Sequence, residues 1–379
     1  MKSFYEICMF GRTENASKEL ETALADHLSE FDLKIGDEVT LDRSGSIKTE
    51  NPKCASVGLF FGDDPAPAYD RPAALTDYDP IIPIVSSLDR CSVELPPEAS
   101  PFNAMASAEP NASVRIASAT AECLGLVPSR RRVFLSYRRI ESREIALQLF
   151  DELSQRQFDV FLDTHEIRPG ALFQDVLWHQ MSDCDVMLML DTKSYFASRW
   201  TSEEFGQANL KKASILRLGF PGVSLDKNLS VTDTVRLEES DFLANGTLSD
   251  KVLDEVADNL ERLRSKSVAV RQSCLVGSLR TAVEQMGGDL GDAGQMRRVM
   301  ASFPAGEKLQ VYPIVGVPTS EVINRIVLDA GNEECALLYD HVGVLESWQE
   351  HLEWLGQRID RFHWIKAGSS FQNLQDVLS

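Results

Sequence analysis

Apolar residues fall into two alternating patterns along this chain of 379 residues. Short unbroken runs, such as Val57-Gly-Leu-Phe-Phe61 and Ile81-Ile-Pro-Ile-Val85, alternate with stretches whose apolar positions recur every three or four residues. Unbroken runs predict strands buried on both faces. Recurrence at three and four predicts helices with one buried stripe. The first set opens with a strand at Tyr5–Phe10. A helix within Ser17–Phe31 follows, with Leu20, Ala23, Leu24, His27 and Leu28 on one face. Strands at 57–61 and 81–85 come next, then a proline-rich loop at Glu94–Phe102 and a helix at Asn111–Leu124. Pro128 and the basic run Arg130–Arg132 mark a boundary.

The middle set alternates most cleanly. Strands are predicted at Val133–Ser136, Phe158–Leu162, Val186–Leu190 and Ser214–Leu218. Helices are predicted between them at Ser142–Arg156, Leu172–Met181 and Thr201–Lys212, and a polar helix at Asp250–Arg264 closes the set. Strands alternating with helices imply a parallel sheet covered on both sides. A second helix is predicted at Val268–Gly287, followed by a glycine-rich break to Gly294. The last set has strands at Val311–Val317, Ala336–Tyr339 and Phe362–Ile365, with helices at Thr319–Leu328, Leu345–Ile359 and Phe371–Leu378. The expected organisation is an α/β lobe over 1–125, a central α/β domain over 130–265, and a helical linker plus α/β lobe over 266–379.

Charge narrows the partners. The chain has 58 acidic and 38 basic residues, a formal net charge of −20. Such a chain repels polyphosphate and anionic bilayers at long range, which argues against nucleic acid and membrane surfaces as partners. No run approaches the ~20 apolar residues of a membrane span, and the first ten residues are too polar for a signal peptide. The 7 cysteines are scattered, with no CxxC pair, as expected of reduced thiols in a cytoplasmic protein.

Ligands of parallel α/β sheets gather at the carboxyl ends of the strands. Three short sequences stand at or after such ends: Ser136-Tyr-Arg-Arg139, Asp163–Gly170 and Ser198-Arg-Trp-Thr-Ser-Glu-Glu-Phe205. Trp200 and Glu204 are four apart on a predicted helix and share a face. Glu203 points about 100° away around that helix. Spacing alone leaves two roles open for Glu204. It is a candidate catalytic carboxylate, and Thr201-x-x-Glu204 is also a capping box at a helix start. Arg138 and Arg139 suit an anion or a solvated turn equally well. His165 lacks the further ligands at fixed spacing that a metal site needs. His341, beside Asp340 after a strand, is a weaker ligand candidate in the third lobe.

Taken together, Val133-Phe-Leu-Ser-Tyr-Arg-Arg139, Phe161–Gly170 and Ser198–Phe205 resemble the TIR (Toll/interleukin-1 receptor) domain family, over roughly residues 130–265. The resemblance implies a flavodoxin-like parallel sheet for the central domain, with the two smaller α/β lobes flanking it. It implies that Glu204 is catalytic and that Trp200 lines a nicotinamide pocket. Ser136, Tyr137, Arg138 and Arg139 would border that pocket. Asp163, Arg168, Pro169 and Gly170 would belong to the loop that gates it and makes domain–domain contacts.

Two functions follow from the resemblance. One is NAD+ cleavage, with NAD+ as substrate and no cofactor or metal. Nicotinamide leaves, and ADP-ribose or a cyclic ADP-ribose signal forms. Bacterial relatives of this kind serve in antiphage defence, are switched on by assembly, and carry sensor or partner-binding regions. The other is a scaffold that signals by TIR–TIR self-association without chemistry. A third possibility is that a flanking lobe binds a nucleotide and gates the middle domain.

Overall fold

Three five-stranded sheets follow one another along the chain, one for each set of apolar runs. The computed structural model describes residues 5–43, 55–72, 74–75, 79–128, 130–162, 173–197, 199–223, 232–291 and 297–378, apart from the side chains of Phe173, Arg199 and Trp200. By their contacts these residues form two units, the first ending at Ser129 and the second beginning at Arg130.

The first unit holds β1 (Tyr5–Gly11), β2 (Val39–Asp42), β3 (Ala55–Phe61), β4 (Ile81–Val85) and β5 (Met105–Ala106) in the order β2-β1-β3-β4-β5. All neighbours are parallel. Helices α1 (Lys18–Ser29), α2 (Cys91–Glu94) and α3 (Ala112–Cys123) connect and cover them. Ser17 caps α1 by accepting from the Leu20 N–H at 3.1 Å. The loop expected at 94–102 begins one residue late, since Glu94 closes α2. Its carboxylate accepts from the Ser86 N–H and the Arg90 Nε, each at 2.6 Å.

The second sheet contains β6 (Arg131–Ser136), β7 (Phe158–Leu162), β8 (Val186–Asp191), β9 (Ser214–Gly219) and β10 (Asp233–Arg236). Its order is β10-β9-β8-β6-β7, all parallel. The first strand lies inside, the second outside it, and the rest run off the other way. This is the flavodoxin-like doubly wound order, and its switch point lies between β6 and β8. Side chains alternate as strand geometry requires. Val133, Leu135 and Leu188 enter one core, while Phe134, Met187 and Met189 enter the other. The first core is shared with α4 (Arg139–Gln155), the second with α5 (Phe173–Asp183) and α6 (Arg199–Leu210).

The basic run Arg130–Arg132 does more than mark the boundary. Arg131 and Arg132 begin β6, and the Arg132 side chain is 11% exposed, paired with Asp183 and, at 3.2 Å, with Asp185.

The two helices expected at 250–264 and 268–287 are one. Helix α7 runs unbroken from Asp250 to Gln285, 36 residues, or ~54 Å. Its first half packs Val252, Val256 and Leu260 on the second sheet, and its second half packs Leu275, Leu279 and Val283 on the third. The polar stretch between them is buried too. Arg264 donates to Asp185 at 3.2 Å, and Arg271 to the carbonyls of Cys184 and Ser182 at 2.6 and 2.8 Å.

The third sheet is mixed. It holds β11 (Asp289–Leu290), β12 (Val299–Ser302), β13 (Lys308–Ile314), β14 (Cys335–Tyr339) and β15 (Phe362–Lys366), in that order. The first two join antiparallel and the last three run parallel. Helices α8 (Ser320–Ala330), α9 (Glu346–Gly356) and α10 (Ser370–Leu378) complete it. Strand β13 begins and ends three residues before its predicted bounds.

Candidate functional site

Strand β6 ends at Ser136, beside the switch point of the second sheet. The Ser136 hydroxyl donates to the Glu204 carboxylate on α6. It also lies 2.6 Å from the Tyr195 hydroxyl, in the short turn after β8. A hydroxyl has one proton to give. With that proton on Glu204, the Tyr195 O–H donates to Ser136. Burial, and then the Glu204 charge, push the Tyr195 phenol well above its ordinary value, so it remains a donor. The three groups form a chain, Tyr195 to Ser136 to Glu204, whose members polarise one another in one direction. All three residues are buried.

Glu204 is not a helix cap. Helix α6 begins at Arg199, two residues before the predicted start, so Thr201 already lies inside its first turn. The Thr201 hydroxyl donates instead to the Tyr195 carbonyl, which ties α6 to the turn carrying Tyr195. Glu204 stands a further turn along and reaches inward. Its neighbour Glu203 turns away and accepts from Gln174 Nε2 at 3.1 Å. The resemblance implies a Glu204 carboxylate facing a dinucleotide cleft. Here the residue is 5% exposed and its carboxylate is closed over Ser136.

The other expected residues fall into three groups. Tyr137 is buried in the core under α4, with Leu149 and Leu153. Arg138 precedes α4, and its guanidinium reaches Glu141 at 3.1 Å. The same Glu141 carboxylate accepts from the Ser194 N–H at 3.2 Å, which joins the start of α4 to the turn after β8. Arg139 is the exposed first residue of α4. Asp163, Arg168, Pro169 and Gly170 lie outside the described residues, as does the Trp200 side chain, although the Trp200 main chain is part of α6.

Sequence reasoning missed two participants at this end of the sheet. Tyr195 is one. The other is an ion pair between Asp191, the last residue of β8, and Arg217 of β9, at 2.6 Å. Both side chains are almost wholly buried, 4% and 2% exposed. The signal was present: an arginine inside the apolar run Ser214-Ile-Leu-Arg-Leu-Gly219 needs a buried partner. Gly219 makes room for it, since a Cβ there would stand 2.5 Å from the guanidinium. Among the described residues, no group of three or more His, Cys, Asp or Glu side chains is placed to hold a metal ion.

Comparison with known proteins adds three findings. No curated protein matches the chain. A solved structure, that of the CMP N-glycosidase BcmB of Clostridium botulinum, is 16% identical and covers 33% of this chain and 96% of its own; its TM-score is 0.25, too low to argue from. A family model described as "TIR domain" matches residues 133–241. That span begins in β6 and takes in Ser136, Tyr195 and Glu204. The segment of this chain that carries the hydroxyl–carboxylate chain belongs to the TIR domain family.

Proposed function

We propose that the TIR domain cleaves the nicotinamide–ribose bond of NAD+, with Glu204 as its catalytic carboxylate. The observation that carries the reading is the TIR domain match over residues 133–241, a span that includes Glu204, whose buried carboxylate is held by the Ser136 hydroxyl at the carboxyl end of a central strand. Burying a carboxylate costs several kcal/mol even after relaxation. An apolar residue would fill that space at less cost, and buried ionisable groups concentrate at functional sites.

The chemistry suits a single carboxylate. The N-glycosidic bond breaks with its electron pair going to nicotinamide, which departs neutral and needs no general acid. The ribosyl group is left with oxocarbenium character, and a preorganised carboxylate stabilises it. Ser136 now presents a hydroxyl to Glu204. Ribose hydroxyls would take its place as the carboxylate exchanges one hydroxyl partner for another. Water then attacks the anomeric carbon and loses a proton, giving ADP-ribose. Capture by a nucleophile on the adenosine half gives a cyclic product instead.

On this reading the present arrangement is a resting one, in which the carboxylate is closed. Opening would accompany assembly with other TIR domains in the cytoplasm, and the role would be a defence signal. The same closure favours a second reading, a scaffold TIR domain in which Glu204 is only a buried hydrogen-bonding group. Incubating the full chain with NAD+, with and without crowding agents that drive assembly, separates the two. Release of nicotinamide together with ADP-ribose or its cyclic form supports the enzyme. Assembled protein that leaves NAD+ intact supports the scaffold.

A further inference from the structure

A cavity of about 330 Å³ opens at the other end of the second sheet, where the third sheet meets it within the second unit. Arg130 just before β6, Arg132 near its start, Asp159 of β7, and His179 and Asp183 of α5 line it, together with Thr319 before α8 and Trp348 of α9. It therefore lies at the amino ends of β6 and β7. Val317, just past β13, also lines it, so it lies at the carboxyl side of the third sheet's parallel strands. We infer that this cavity is a binding site for a nucleoside monophosphate, distinct from the site around Glu204.

Size, rings and charge each bear on the ligand. The volume stands at the low end of the roughly 300–1,000 Å³ of small-molecule sites, enough for one nucleotide but small for a dinucleotide. The Trp348 indole is fixed by its Nε1 donating to the Pro318 carbonyl at 3.2 Å, with the His179 ring edge-on at 6.3 Å. A held aromatic ring is a ready stacking surface for a base. Thr319 is the N-cap of α8, a helix of 11 residues, and accepts from the Val322 N–H at 3.4 Å. The first-turn N–H groups and the positive end of that helix suit a phosphate. Arg130 stands at the rim, its side chain 68% exposed and only loosely paired with Asp159 at 3.8 Å. Arg132 Nε is buried and has no hydrogen-bond partner among the described residues, although its other nitrogens hold Asp183 and Asp185.

The two sites do not share residues. Strand β6 carries Arg132 at one end and Ser136 four positions on, ~13 Å away. The inference therefore stands whether or not Glu204 is catalytic.

Isothermal titration calorimetry on the full chain tests it. The probes are the four ribonucleoside monophosphates, the matching nucleosides and inorganic phosphate. At least one monophosphate should bind saturably at one site per chain. Its nucleoside, and phosphate alone, should each bind at least tenfold more weakly. Arg130→Glu should weaken the monophosphate tenfold or more, with Arg130→Gln as the milder variant should the first fail to fold. Glu204→Gln should bind it as the wild type does. The inference is overturned if no monophosphate binds, if folded Arg130 variants keep full affinity, if the nucleoside binds equally well, or if Glu204→Gln abolishes binding.

Discussion

Ser136 and Glu204 stand 68 positions apart in the chain, yet the serine hydroxyl donates directly to the glutamate carboxylate. One ends a central strand and the other sits a turn into a helix, so the contact pins α6 to the sheet where the switch point lies. Without Ser136, a buried carboxylate and the buried Tyr195 hydroxyl would both lose a partner. Ser136→Ala should therefore destabilise the fold by about 1–3 kcal/mol, read as a lower urea midpoint with unchanged slope.

Tyr195→Phe keeps the ring in its core and removes only the far end of the hydroxyl chain. It should cost about 1 kcal/mol. The double variant Ser136→Ala, Tyr195→Phe should cost less than the sum, because the tyrosine hydroxyl has already lost its serine in the single change. Strict additivity in a double-mutant cycle would show that the two hydroxyls are not coupled.

Asp191 and Arg217 form a pair that exists only if both members are present. Asp191→Ala leaves a guanidinium buried without its carboxylate, and should cost about 3–5 kcal/mol. Changing both residues to leucine should recover most of that loss, as seen by thermal unfolding.

His179 gives the stability a pH dependence. Burial lowers its pKa below the ordinary 6.5, outweighing the opposing charge of Asp183. The unfolded chain therefore takes up a proton near 6.5 that the folded chain does not. Since the unfolded state binds more protons there, stability falls as pH drops below that value and recovers as pH rises through it. His341, lowered by burial and by Lys366, acts in the same direction. Urea midpoints at pH 7.5 and 5.5 should differ less in His179→Gln than in the wild type.

Much of this was legible in the sequence, for identifiable reasons. Strands β4 and β7 fall on their predicted bounds, and β6, β8 and β9 within two residues of them, because each carries a short, largely apolar run. Strands β2, β5, β10, β11 and β12 were missed: each is only two to four residues long. The continuity of α7 was hidden because Arg264, Ser265 and Ser267 look like a solvated break. They are buried, and Arg264 is matched by Asp185, just before β8 and 79 positions away, which no local periodicity can reveal. That Glu204 lies on a helix after β8 was readable, but its closure and its partners were not, since a hydrogen bond across 68 residues leaves no mark on spacing.

The most direct measurement is nicotinamide release from NAD+ by assembled wild-type protein and by Glu204→Gln, with Glu203→Gln as the neighbouring control. Glutamine keeps the size and an acceptor for Ser136, so the fold should persist. The wild type and Glu203→Gln should release nicotinamide, and Glu204→Gln should fall by at least a hundredfold. A folded Glu204→Gln protein that cleaves NAD+ at the wild-type rate would contradict the catalytic role of this carboxylate.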